Sequence, residues 1–148
     1  MSDDVLQMLN RRRGGFNEAL DLRFERVEPD EVVATLEVGP HLLQPYGVVH
    51  GGVYCAMVET VASSAAALSV MDDGRYTVGL ENSTTFLRAV RDGTLTATAR
   101  PLARGRRSHV WSVEVRDGDD RLVAQGRVRL LVLEGDATLA GESIELER

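Results

Sequence analysis

From residue 19 to residue 38 the apolar positions fall on alternate residues. Leu20, Leu22 and Phe24 alternate with Asp21, Arg23 and Glu25, and beyond Pro29-Asp30 the run Val32, Ala34, Leu36, Val38 repeats the pattern. Alternation puts one face of a strand in a core and the other in water, so two half-buried strands are predicted here. Four more alternating runs follow, near 76–87, 94–103, 107–116 and 121–133, separated by the turn-forming pairs Asp92-Gly93, Arg104-Gly105 and Asp117-Gly118. His109, Trp111, Val113 and Val115 share one face of the third run. Leu122, Ala124, Val128, Leu130 and Val132 share one face of the fourth.

Two stretches break the alternation. Residues 4–13 place Val5, Met8 and Leu9 at helical spacing, with Arg11 to Arg13 near the end that favours cations, and Gly14-Gly15 is expected to stop the element. The second stretch, "YGVVHGGVYCAMVETVASSAAALSVM" at 46–71, is too long for a strand and carries Glu59 as its only charged side chain after His50. A loop rich in Gly and Pro leads into it, and residues 51–71 are predicted to form one buried helix. Its length is near the ~20 residues of a membrane span. Glu59, Thr60, Ser63, Ser64 and Ser69 dilute the apolar signal, and strand-forming sequence surrounds it, so a core helix is the expectation.

The predicted order is β-β-α-β-β-β-β, an α+β class. A helix apolar nearly all round must be covered on more than one side, and a curved antiparallel sheet wrapped around it does part of this. The sheet's outer surface and an edge strand are then left for a second copy, so an oligomer is expected. Residues 1–17 read as an N-terminal helical segment, 18–133 as the domain, and 134–148 as an acidic, loosely attached tail. The chain of 148 residues matches one ordinary domain. A formal charge of −6 argues against nucleic-acid or anionic-membrane partners, so an anionic ligand has to meet a local basic cluster. The single Cys55 and the absence of a charged segment followed by an apolar one at the start point to a reducing, cytoplasmic setting.

Chemistry concentrates at the start of the long helix. Gly51 and Gly52 put sparsely covered backbone N–H groups where the helix dipole favours negative charge, either as an oxyanion hole or simply to permit a tight turn. An unpaired carboxylate in a buried helix costs several kcal/mol, so Glu59 meets a cation, is protonated, or lines a cavity. Gly51 and Glu59 are separated by about 12 Å of helix rise. To act on one substrate atom, the amide of one subunit must face the carboxylate of another across a twofold axis. Ser63, one turn beyond Glu59, shares its face. The three histidines lack metal-ligand spacing, no G-x-S-x-G or phosphate loop is present, and Cys55 reads as a small core residue. No cofactor is expected.

The element order and "HGGVYCAMVET" resemble the hotdog-fold acyl-CoA thioesterases of the PaaI and 4-hydroxybenzoyl-CoA thioesterase type, over roughly residues 18–133. In that family an Asp or Glu lies nine positions after the His of a His-Gly-Gly element, where Glu59 stands relative to His50. The Glu variant, with Gln44 six residues before His50, is similar to the Arthrobacter branch. The resemblance implies that Gln44 hydrogen-bonds near the thioester, the Gly51 amide polarises its carbonyl, and Glu59 is nucleophile or general base. His50 steadies the loop, and Ser63 stands where the Arthrobacter type has a Thr that handles the attacking water. "LARGRRSHVW" gathers Arg104, Arg106, Arg107 and Ser108 around a turn, and guanidinium groups bind pyrophosphate well; family members bind coenzyme A near this hairpin. Asn82 is a candidate polar group of the substrate pocket, which Leu42, Leu43, Tyr46, Met57, Leu68 and Phe86 are expected to line. Hydrolysis of an aromatic or medium-chain acyl-CoA by a dimer or tetramer is the leading expectation. An acyl-carrier-protein thioesterase, a hotdog dehydratase and a non-catalytic acyl-CoA-binding domain are the alternatives.

Overall fold

The computed structural model describes residues 3–145. Six strands form one antiparallel sheet: β1 (Arg23–Glu28), β2 (Glu31–Glu37), β3 (Tyr76–Phe86), β4 (Thr94–Arg104), β5 (Ser108–Arg116) and β6 (Leu122–Leu133), in the order β1-β2-β4-β5-β6-β3. The last four stand within one residue of the runs predicted from alternation. A short helix, α1 (Asp3–Arg11), precedes the sheet, and the long helix α3 (Gly51–Val70) packs on β2 through β6.

The core lies between α3 and the sheet. From the strands it takes the alternating set Val32, Ala34, Leu36, then Leu95, Ala97, Ala99, then Trp111, Val113, Val115, and Val128 with Leu130. α3 contributes Val53, Tyr54, Ala56, Met57, Val58, Val61, Ala62, Ala65, Ala66 and Leu68. Burial on this many sides is what its nearly uniform apolar sequence requires. Its length and composition would suit a membrane span, but most of it is wrapped by the sheet. Between its ends, α3 leaves a partly exposed stripe at Cys55, Glu59, Ser63 and Ala67, recurring every fourth residue, with Thr60 and Ser64 beside it.

The amino-terminal region departs from the expectation. Gly14-Gly15 does not end the helical segment but opens a second short helix, α2 (Gly14–Ala19), and the first strand begins at Arg23 rather than near Ala19. Side chains hold this turn. Asn17 donates to the Arg13 carbonyl at 2.7 Å and accepts from the Thr60 hydroxyl of α3 at 2.7 Å. Leu20 and Leu22 are buried as the alternation implied, but from a turn in which Asp21 takes a positive φ. A bulge between Phe24 and Arg26 then shifts the alternation, so Val27 rather than Arg26 faces the core. Asn10 covers part of the β1 edge by exchanging two 2.9 Å hydrogen bonds with the Phe24 backbone.

The region expected to be a loose tail carries a small exposed hairpin, β7 (Thr138–Leu139) and β8 (Glu142–Ser143), paired only with itself. The end of that tail, 146–148, lies outside the described residues.

Three residues expected to line a substrate pocket belong to the core instead: Met57 is 0% exposed, Leu42 4% and Leu68 8%. A helix apolar all round gives no sequence cue to which of its faces is open. Truncating Met57 therefore tests the core. Met57→Ala is expected to lower unfolding free energy by ~2–5 kcal/mol with an unchanged urea m-value, measured by chemical denaturation.

Candidate active site

The start of α3 is built by the loop before it. Pro40–Leu42 form a 3₁₀ turn, Leu43 bridges to Val49, and the Gln44 N–H bonds the Val48 carbonyl at 2.8 Å. Gly47 adopts φ 75°, a conformation that favours glycine, and Arg91 clamps the turn through the carbonyls of Tyr46 and Gly47 at 3.1 Å each. The His50 N–H bonds the Leu42 carbonyl, which fixes His50 as the N-cap of α3. Its Nδ1 accepts from the Gly52 N–H at 2.8 Å, and its carbonyl accepts from the Val53 N–H at 2.9 Å.

Two of the helix's first donors are thus satisfied, while the Gly51 N–H has no partner among the described residues. The Phe86 ring lies against Gly51 so closely that an added Cβ would sit 2.5 Å from its Cε2. Gln44, Gly51, Tyr54, Phe86 and Arg88 line one cleft of ≈320 Å³. The Gln44 Oε1 accepts from the Tyr46 N–H, which leaves the side-chain NH₂ as the free donor. Burial, aided by the charge of Asp117, pushes the Tyr54 hydroxyl up to about 12, so it stays protonated.

Glu59 lies elsewhere, two turns along α3 and over β3. Its Oε1 accepts from the Ser63 hydroxyl at 3.1 Å and its Oε2 from the Asn82 amide at 3.0 Å. Gly79 makes room: a Cβ there would stand 2.5 Å from Oε1. A bulge between Gly79 and Glu81 sets this face. Unbroken alternation would put Glu81 on the Gly79 face, toward Glu59. With the bulge, Asn82 contacts Glu59, and Glu81 lies 3.8 Å from Arg129.

The arginine hairpin lies near the far end of α3. Arg104, Arg106 and His109 line a ≈340 Å³ cleft with Ser69 and Arg75, the last supplied by the turn after α3. Arg104 is committed to Asp30 at 2.6 Å and to the Pro29 carbonyl, with its guanidinium over Trp111. Arg106 and Arg107 have no ion-pair partner among the described residues, and Ser108 closes the turn through its carbonyl on the Gly105 N–H. Burial pushes the His109 imidazole below the ordinary histidine range; the charges of Arg104 and Arg75 act the same way, and a bond to Gly105 partly opposes them. His109 is therefore a neutral wall of this cleft.

Within one chain the structure joins Gln44, His50 and Gly51 in one place and Glu59, Ser63 and Asn82 in a second, with the arginines in a third. Tyr46 and Phe86 are exposed at 84% and 53%, Leu43 is half-buried, and the Phe86 ring lies against Gly51. Sequence reasoning missed Gly79, Thr84 and Arg75. A glycine inside an otherwise regular strand was the available cue for the first; nothing local marks the other two.

Residues 46–124, more than half of the chain, match the thioesterase superfamily. The chain belongs to that superfamily. The 1,4-dihydroxy-2-naphthoyl-CoA hydrolase of Escherichia coli is 33% identical over 114 residues, 77% of this chain and 83% of that protein. Among solved structures, AziG of S. sahachiroi is 49% identical at a TM-score of 0.79, covering 83% of this chain and 99% of that one. A thioesterase of Haemophilus influenzae is 34% identical at a TM-score of 0.84, covering 88% and 91%. The fold is the hotdog fold, with the antiparallel sheet around one long helix, and the protein is a thioester hydrolase.

In this thioesterase Gly79 is the position where a single methyl displaces the carboxylate. Gly79→Ala is expected to leave the fold intact and, by pushing the Glu59 carboxylate off its Ser63 and Asn82 partners, to slow thioester hydrolysis by about 10–100-fold. Turnover assays beside circular dichroism of the same variant check it.

Proposed function

We propose that this thioesterase hydrolyses an aromatic or medium-chain acyl-CoA to the free acid and CoA, at a site shared between two subunits. The observation that carries the reading is the partition along β3. Phe86, at one end of the strand, touches Gly51, while Gly79 and Asn82, further back, touch Glu59. β3 is also an edge of the sheet, with its outer side unpaired and much of its length exposed. An antiparallel pairing of two β3 strands about a twofold axis near Asn82-Ser83 sets Phe86 opposite the partner's Gly79. That brings the Gly51 amide of one chain toward the Glu59 carboxylate of the other, and removes the open edge.

In such a site the thioester carbonyl accepts from the Gly51 N–H, with Gln44 as a second donor. Glu59 attacks the carbonyl carbon or takes a proton from a water that does so. Charge grows on the carbonyl oxygen, where the amide stabilises it. Collapse of the tetrahedral intermediate breaks the C–S bond and releases the CoA thiolate. Where water attacked, the proton held by Glu59 passes to that sulfur. Where Glu59 attacked, the thiolate takes a proton from solvent, and water then cleaves the anhydride left on Glu59 to give the free acid. Ser63 holds one oxygen of Glu59 and stands beside the path of the water. His50 acts through the cap, keeping the Gly51 turn in place.

Support for the CoA portion comes from the far cleft, where Arg75 and Arg106 accompany Arg104, with Arg107 and Ser108 on the same turn. Arg106 and Arg107, whose guanidinium groups have no carboxylate partner among the described residues, suit a pyrophosphate or a 3′-phosphate, while Arg75 and Arg104 are paired with Asp73 and Asp30. The exposed Phe86 and Tyr46 near Gly51 suit an apolar or aromatic acyl group. Glu59 and the Gln44-to-His50 spacing fit the Arthrobacter-type branch, and the lone Cys55 and a CoA substrate fit a cytoplasmic setting.

The experiment is a panel of benzoyl-, naphthoyl- and medium-chain acyl-CoAs assayed with a thiol reagent, wild type against Glu59→Gln. Wild type is expected to turn over at least one member, and Glu59→Gln to lower that rate by about 10²–10⁴-fold with fold and assembly unchanged. Near-normal turnover by the variant would remove Glu59 from the mechanism.

A further inference from the structure

We infer that Thr84 is a positioning residue for hydrolysis, acting through Asn82 on Glu59. The assignment rests on Glu59 being the group that attacks the thioester or deprotonates water.

The amide of Asn82 is fully engaged. Its Nδ2 donates to the Glu59 Oε2 at 3.0 Å and to the Cys55 carbonyl at 3.1 Å, and its Oδ1 accepts from the Thr84 hydroxyl at 2.7 Å. An ionised carboxylate and a carbonyl only accept, so they fix which end of the amide faces α3. The remaining end then needs a donor, and Thr84 supplies it. Asn82 sits on an edge strand, exposed in the single chain, and without that tether its amide is free to swing away from Glu59. With the tether, the chain of donors runs from Thr84 to Asn82 to Glu59, and Ser63 meets the other carboxylate oxygen from α3. Both oxygens are held, so the carboxylate plane cannot rotate freely.

Thr84 is itself fixed. It stands opposite Gly126 in the β3–β6 register, and a Cβ on Gly126 would lie 2.6 Å from the Thr84 Oγ1 and 2.8 Å from Val58. The hydroxyl thus occupies space that only a glycine leaves open, beneath α3. A β-branched side chain in such a slot has little χ1 freedom. The same bulge that turns Asn82 toward Glu59 keeps Thr84, two residues on, on the same face. Gly126, Thr84, Asn82 and Gly79 therefore form one surface shaped to the Glu59 carboxylate.

The test uses the full-length enzyme in excess over whichever of benzoyl-CoA or decanoyl-CoA the wild type cleaves faster, so that the single-turnover rate reports the chemical step. Thr84→Val keeps the shape and loses the hydroxyl. It is expected to slow this rate about tenfold with KM within about twofold of wild type, the pattern of lost transition-state geometry rather than lost binding. Thr84→Ser is expected to restore the rate to within about twofold, and Asn82→Ala combined with Thr84→Val to be no slower than Asn82→Ala alone, because Thr84 works only through Asn82. Thr84→Ala replaces the valine variant, with the same expectations, should the latter not fold. A wild-type rate in Thr84→Val, a serine variant as slow as the valine one, or multiplying effects in the double variant would each overturn the assignment. Glu59→Gln is run alongside. Full activity there overturns the catalytic reading of Glu59 itself, whereas an inactive Glu59→Gln beside an unaffected Thr84→Val overturns only the role of Thr84.

Discussion

The rest of the structure answers one constraint: a 20-residue helix, apolar on nearly every side, carries a single carboxylate halfway along. Burying that helix is the main gain available to the fold, and a sheet curved around it collects the gain from five strands. The carboxylate opposes it, because an ionised group away from water needs donors. Glu59 therefore sits on a side of the helix that the sheet leaves partly open, and Ser63 and Asn82 each give a hydrogen to one of its oxygens.

That arrangement makes β3 the strand on which function is strung. It is the longest-exposed edge of the sheet, yet its helix-facing residues are specialised one after another: Gly79 for space, Asn82 for a hydrogen bond, Thr84 beside Gly126, and Phe86 against Gly51. A strand packed symmetrically in a core would not need such a series. Within one chain the carboxylate meets one end of this series and the helix-terminal amide the other. In the proposed dimer a second copy on the same edge would join them, so that burial of the edge and assembly of the reaction centre would be one event. The arginine cleft lies near the other end of α3, apart from both the carboxylate and the amide.

Much of this was legible because it is periodic. Alternating apolar residues mark β2, β4, β5 and β6 to within a residue or two, and a long apolar run with one Glu marks both α3 and its one carboxylate. What escaped depends on non-periodic or distant contacts. α2 is six residues long, begins with two glycines, and is held by Asn17 reaching Arg13 and Thr60. The assignment of Met57, Leu42 and Leu68 to a pocket failed because an all-apolar helix and its loop carry no marker of which side is open. The contact of Asn82 with Glu59 follows from a one-residue bulge at Leu80, which reverses the faces predicted by simple alternation. Arg104 reads as a phosphate ligand beside its neighbours, but it is tied to Asp30, 74 residues earlier in the chain.

The most direct measurement of the shared site is complementation in mixed dimers. One chain carries Glu59→Ala; the other carries Gly51→Pro, which deletes the amide hydrogen at a helix position that tolerates proline. Because the Phe86 ring abuts Gly51, Phe86→Ala accompanies the proline in that chain, and Phe86→Ala alone is run as a control for that parent. Each parent, folded and assembled, should be nearly inactive. In a mixed dimer one of the two interfacial sites then combines the intact carboxylate of the proline chain with the intact amide and Phe86 of the other chain, and activity should rise to about half that of wild type per dimer. Verified mixed dimers that stay as inactive as their parents would place amide and carboxylate in the same chain and contradict the account.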